Sequence, residues 1–209
     1  MTREFQTGQL AAAMMRVAAA LKANEEMITE LDQAVGDGDL GITAVKVAEA
    51  LEAAAGKASA TDIGKLLAET GMALNRAAPS TMGTLTATAL MQAGKVVLGK
   101  ERLAVADLPL LLNAATTGVE TRGKARLGDK TLLDALRPAS DAFSAALAAG
   151  QPLAAAAAAM LAAARDGRDR VTPLRNKIGR ASWLGERTEG RVDPGCAFAV
   201  VALTAIVGA

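Results

Sequence analysis

LAAAAAAMLAAA, residues 153–164, reads either as a low-complexity linker or as a helix packed so closely that little more than methyl groups separates it from its neighbours. Alanine is the best helix former and fixes no side-chain rotamer, so a tightly packed core helix is the better reading. The composition around it agrees. Hydrophobic residues make up 51% of the 209-residue chain but aromatics only 2%, with no Tyr, one Trp and three Phe, leaving Ala, Leu, Val, Ile and Met to build the core. Such a core favours helices over strands, which are enriched in β-branched and aromatic residues. The length suits one domain or two small ones and allows roughly 70% of the unfolded surface to be buried. Nothing marks an internal boundary, so a single domain over 1–209 is expected.

Working outward, periodicity and breakers predict about eight helical segments, near 6–33, 41–54, 60–76, 82–98, 106–121, 130–149, 152–166 and 195–207. The first is expected to be interrupted near Ala23-Asn24, and Pro138 to kink the sixth by removing a hydrogen-bond donor. Pro109 and Pro152 fall in first turns, where proline is tolerated. No stretch reads convincingly as a strand. Short gaps argue for an all-α architecture of antiparallel helices in an up-and-down barrel or bundle. The apolar stretch Cys196 to Val207 falls short of the ~20 residues a membrane span needs and reads as a buried final helix. The exception to the helical pattern is the polar segment Asp166 to Gly195, long for a loop. Its arginines and Lys177, with Arg165 at its edge, favour an anion-facing loop over a merely solvated one.

Lys and Arg total 23 against 22 Asp and Glu, so charge gives no argument for nucleic acid, and scarce aromatics leave few platforms for bases to stack on. The absence of histidine excludes Ser-His-Asp catalysis, His-ligated zinc and a phosphohistidine relay within this chain. Cys196, the only cysteine, rules out an intramolecular disulfide, and with no histidine to activate it a reactive thiol is disfavoured. MTREFQTGQL carries both charge signs and no apolar core, so no targeting segment is expected and the cytoplasm is the expected compartment.

Chemistry concentrates at Gly36-Asp37-Gly38-Asp39-Leu40-Gly41, with Asp32 just upstream. Two unit charges about 4 Å apart repel by roughly 4 kcal/mol at an effective dielectric near 20, so converging carboxylates need a cation. Magnesium suits them, because it takes hard oxygen ligands and is commonly shared with nucleotide phosphates. Glycines allow positive φ and close backbone approach to an anion. Pro79-Ser80-Thr81-Met82-Gly83-Thr84 opens a helix, and is equally an N-cap by Ser80 or Thr81 and a phosphate-binding helix end. Arg122-Gly123-Lys124-Ala125-Arg126-Leu127-Gly128-Asp129-Lys130-Thr131 is either a basic turn capped by Asp129 or a loop closing on a nucleotide. No Walker A sequence is present.

Together LDQAVGDGDLG, STMGTL, RGKARLGDKTLLDAL and GRASWLGERTEGRVDPG, in this order across 31–195, resemble the nucleotide-binding L subunit or domain of dihydroxyacetone kinases. The resemblance implies a barrel of eight antiparallel helices with the nucleotide at one end, its phosphates held by two Mg2+ ions on Asp32, Asp37 and Asp39. It further implies ADP or ATP contacts from Leu40, Gly41, Ile42, Thr43, Thr81, Met82 and Gly83, with Gly123 and Leu132 bordering the base and Arg180, Asp193, Pro194 and Gly195 completing the site. The family usually has histidine at Leu40 and serine at Met82, so two polar side-chain contacts are replaced here. A separate K-type subunit holds the small ketose through a histidine in that family, which implies a homodimer or hetero-oligomer donating phosphoryl groups to a partner. The donor is ATP, or a phosphotransferase-system phosphohistidine protein that recharges bound ADP. The existence of a separate chain leans toward the multi-subunit arrangement. On the residues themselves two other readings stay open: a non-catalytic helical module binding a lipid or other hydrophobic ligand, and a purely structural bundle.

Overall fold

At Asn24 the backbone N–H reaches back to Ala20 O and Leu21 O and the side-chain amide donates to Ala20 O at 2.8 Å, closing one helix just before the next begins. The predicted first segment is thereby split into α1 (Thr7–Ala23) and α2 (Glu25–Val35). The computed structural model describes residues 4–57 and 62–208. Within them follow α3 (Leu40–Ala55), α4 (Ile63–Ala77), α5 (Thr81–Val96), α6 (Leu108–Gly123), α7 (Leu133–Ala148), α8 (Leu153–Val171) and α9 (Pro194–Val207). The predicted start of the third segment, at 60, lies outside the described residues.

The all-α expectation holds, with one correction. Strands β1 (Glu4–Gln6) and β2 (Arg102–Ala104) pair antiparallel, Phe5 opposite Leu103, in a two-stranded ribbon that no sequence pattern had marked. Three residues are too few to display an alternating period. The long polar segment is also shorter than expected, because α8 runs on to Val171 and a 3-10 segment occupies Arg180–Thr188. Asp166 and Arg170 pair at 2.5 Å along the exposed side of that helical extension, so its polarity marks a solvated face. α7 continues through Pro138, and Pro152 caps α8 from one residue outside it.

The helices pack in chain order. α3 lies against α4, α4 against α5, and so on through α9, which returns to α1, while α1 meets α3 and closes the ring. α2 packs on α3 and meets the Arg180–Thr188 segment. Two apolar clusters fill the interior. Leu21, Ile28, Val47, Ile63 and Leu74 centre one, and Val119, Leu132 and the alanines 135, 139, 156 and 164 are buried on the other side. Met82 and Leu108 touch both clusters. The alanine tract thus lies buried on one face, as Ala156 and Ala164, and α9 is buried over most of its length. No helix of the described residues is long and apolar enough to cross a membrane.

Candidate metal and phosphate site

Asp32 lies on the last turns of α2, Asp37 in the connection, and Asp39 at the cap of α3, so a single tight turn gathers all three. Gly38 makes the turn with φ +77°, and a side chain there would meet Gln33 Cγ at 2.5 Å. A side chain at Gly36 would meet Asp32 Oδ1 at 2.6 Å, so that glycine leaves room for the carboxylate. One oxygen from each aspartate falls within 4.8 Å of the others. The Leu40 N–H donates to Asp32 Oδ2 at 3.1 Å and fixes its orientation. Burial, and then the Asp32 charge, raise the Asp39 carboxyl above its ordinary range, against the opposing pull of Lys46. Arg180 faces the cluster, pairing with Asp37 and, through Nη2, with Asp39 Oδ1 at 3.0 Å.

Three convergent hard-oxygen donors, one already oriented by a backbone N–H, form a donor set that fits magnesium. The rest of the cleft suits an anion. Leu40 opens α3, Thr81 and Met82 open α5, and Pro194 and Gly195 open α9, and all five line the cleft that Asp32 and Asp39 border. Three helix N-termini therefore contribute their partial positive charge to one space. Ser80 is the cap of α5, accepting the Gly83 N–H at 3.0 Å, and its hydroxyl accepts from Thr43 Oγ1 at 3.1 Å, tying α3 to α5. Asp193 caps α9 by accepting the Cys196 N–H at 2.8 Å.

Of the residues expected at a nucleotide site, Leu40, Thr43, Thr81, Met82, Gly123, Leu132, Arg180, Asp193, Pro194 and Gly195 line this cleft. Gly41, Ile42 and Gly83 are not among its lining residues. Gly41 instead lets α3 sit on α2, since a side chain there would meet Thr29 Oγ1 at 1.9 Å, and Ile42 is exposed. Leu40, where the resemblance implies a histidine, sinks its side chain into the first core cluster. Its backbone remains at the aspartates.

Sequence reading missed Lys130 and Asn176. Both border the cleft, and both are buried. Asn176 donates from Nδ2 to Lys130 O at 2.7 Å and to Asp193 Oδ1 at 2.9 Å, while its Oδ1 is buried with no hydrogen-bond partner. Asp129 does not cap α7 as expected: the capping position is Leu132, Asp129 accepts the Arg126 N–H within the turn, and the turn is closed by Asp134, which accepts the Gly128 and Thr131 N–H groups. Cys196 is buried, burial pushes its thiol far up, and its Sγ lies 2.9 Å from Thr131 O, so it is a packing residue.

This is an all-helical fold with a carboxylate cluster and helix termini at one cleft, the outline of a metal-nucleotide binding protein. The chain belongs to the DAK2 domain family, whose model matches residues 34–208. It is 32% identical over 174 residues to the ADP-binding subunit DhaL of the PEP-dependent dihydroxyacetone kinase of Escherichia coli (strain K12), covering 81% of each chain. It is 34% identical over 205 residues to the L-erythrulose kinase of Pectobacterium atrosepticum, covering 91% of this chain and 34% of that one. The native dihydroxyacetone kinase of C. freundii shares the fold with a TM-score of 0.74 and 27% identity, over 95% of this chain and 34% of the other. The chain thus spans about a third of the length of these last two proteins.

Proposed function

We propose that this chain is the nucleotide-binding subunit of a dihydroxyacetone-type ketose kinase, acting as a single domain. The observation that carries this reading is the three-aspartate cluster at a cleft entered by the first turns of three helices. Asp32, Asp37 and Asp39 would hold two magnesium ions, which supply charge neutralisation for the phosphates of ADP or ATP. The aspartates act as ligands and need not move a proton. Thr81, Met82 and Gly195 offer the ends of α5 and α9 to the phosphates, and Arg180 adds a forked donor beside them. Gly123 and Leu132 form the apolar wall for the base. With no histidine in the chain, a covalent histidine anchor for the ketose would have to come from a K-type partner subunit. The E. coli relative is the ADP-binding subunit of a PEP-dependent kinase, which favours ADP that stays bound and is recharged by a phosphohistidine protein over exchange of ATP.

Titration calorimetry with Mg2+ and ADP tests the assignment. The full chain should bind Mg-ADP, and Asp37→Ala should weaken binding by at least about tenfold through loss of a charged metal ligand. No binding by the full chain, or unchanged affinity in Asp37→Ala, would overturn it.

A further inference from the structure

Lys130 is fully buried and holds a left-handed backbone conformation, φ +61°, that lysine rarely adopts. Surroundings must impose it. Its Nζ donates to Thr172 O at 2.9 Å, Leu174 O at 2.8 Å and Thr188 O at 2.6 Å. An ammonium has three donors, and all three are spent on backbone carbonyls, so this lysine is not available to a phosphate. The carbonyls it gathers are widely spaced in sequence. Thr172 caps the end of α8, Leu174 lies in the connection that follows, and Thr188 ends the 3-10 segment that Arg180 begins.

Further bonds tighten the same knot. The Asn176 N–H donates to Thr188 Oγ1 at 3.1 Å, its Nδ2 donates to Lys130 O at 2.7 Å, and the Lys177 N–H donates to Asp129 O at 3.0 Å. Both flanks of the stretch from 176 to 188 are therefore held to the turn before α7, and Arg180 lies between them. Arg175 also spans this stretch, pairing with Glu186 and Glu189, but those ion pairs are exposed and hold weakly in water.

We infer that Lys130 is a positioning residue: its ammonium ties both ends of the Arg180-bearing segment and so places the guanidinium against Asp37 and Asp39. The inference deepens the nucleotide reading above and, for its affinity arm, rests on it. Lys130→Met keeps the side-chain length and removes the three donors. In the full chain it should increase tryptic cleavage after Arg175, Lys177, Arg180, Arg187 and Arg191 about tenfold while the helices stay resistant, because local opening governs cleavage. It should also weaken Mg-ADP binding about tenfold, whereas in an Arg180→Ala background the same substitution should cost less than about twofold, as expected of two residues acting through one contact. Unchanged digestion with unchanged affinity overturns the inference, and so does full additivity with Arg180→Ala.

If the wild-type chain binds no Mg-ADP, the nucleotide reading fails separately, and digestion alone decides whether Lys130 holds the segment. If Lys130→Met is digested throughout, Thr188→Val decides. That variant removes the bonds of Thr188 Oγ1 with Asn176 N–H and Gly185 O and leaves Lys130 in place. Because Lys130 still reaches all three carbonyls, cleavage within 175–191 should stay within about twofold of wild type, and a several-fold rise there would put the hold on the Thr188 hydroxyl and overturn the inference.

Discussion

Asp193 serves two partners with one carboxylate: Oδ2 accepts the Cys196 N–H at the start of α9, and Oδ1 accepts from Asn176 Nδ2. Burial pushes its carboxyl from the ordinary 3.8 up to about 6, against those hydrogen bonds and the charge of Lys130. The folded state then binds the proton more tightly than the unfolded chain. Its stabilising contribution is fully present below about pH 4 and is lost as pH rises through about 6, by at most about 3 kcal/mol. Urea unfolding of the wild type and Asp193→Asn at pH 4, 5 and 7 should show their stability difference shifting against the wild type across this window. A constant difference would refute the assignment. At this scale the sequence exposed charge crowding but not burial. Asp32, Asp37 and Asp39 stand out because three carboxylates and three glycines share ten residues, whereas Lys130 finds its carbonyls 42, 44 and 58 residues away. A lysine in a glycine-bearing turn looks like surface until those partners are known.

Close helix contact is where the elements are most sensitive. A Cβ at Gly64 of α4 would lie 2.5 Å from Leu98 Cα and 2.6 Å from Gly94 O, and one at Gly94 of α5 would lie 2.5 Å from Gly64 O. Backbone cannot yield as a flexible side chain does, so Gly64→Ala and Gly94→Ala should each destabilise by about 1–3 kcal/mol despite alanine's better helix propensity. At Gly8, near the start of α1, a Cβ would find nothing within 4 Å, and Gly8→Ala should stabilise by up to about 1 kcal/mol. Opposite shifts of the urea midpoint would bear out the packing argument, and a shared sign would refute it. The same elements explain how far helices could be read from sequence. Alanine-rich and amphipathic segments with clear breakers appeared near their predicted positions, and Asn24 broke the first where an interruption was expected. The end of α8 was hidden because Asp166 to Arg170 reads as loop, although Gly167 packs directly against Asp134 O. The β1–β2 ribbon was hidden because its two strands lie far apart in sequence and each is three residues long.

For the whole molecule, a ring of helices gathers three helix ends and three carboxylates at one cleft, while histidine is absent from the entire chain. Near-neutral overall charge means that anion binding must come from this local arrangement, not from a general positive field. Such an arrangement holds and orients a phosphoryl donor, but phosphoryl transfer also needs an acceptor hydroxyl kept in line with the terminal phosphate. Without a histidine to fix a ketose covalently, the chain by itself should give no product from Mg-ATP and dihydroxyacetone above the uncatalysed background. Adding a K-type subunit should restore turnover with one phosphoryl source. If the nucleotide stays bound as a cofactor, product should form with a phosphorylated phosphotransferase-system protein and catalytic amounts of ADP; if it exchanges, product should require stoichiometric ATP. Parallel assays of phosphorylated ketose with each donor, with Asp37→Ala as the control for the metal site, distinguish these cases. Product formed by the isolated chain would refute the division of labour, because a single polypeptide without histidine would then be both donor and acceptor site.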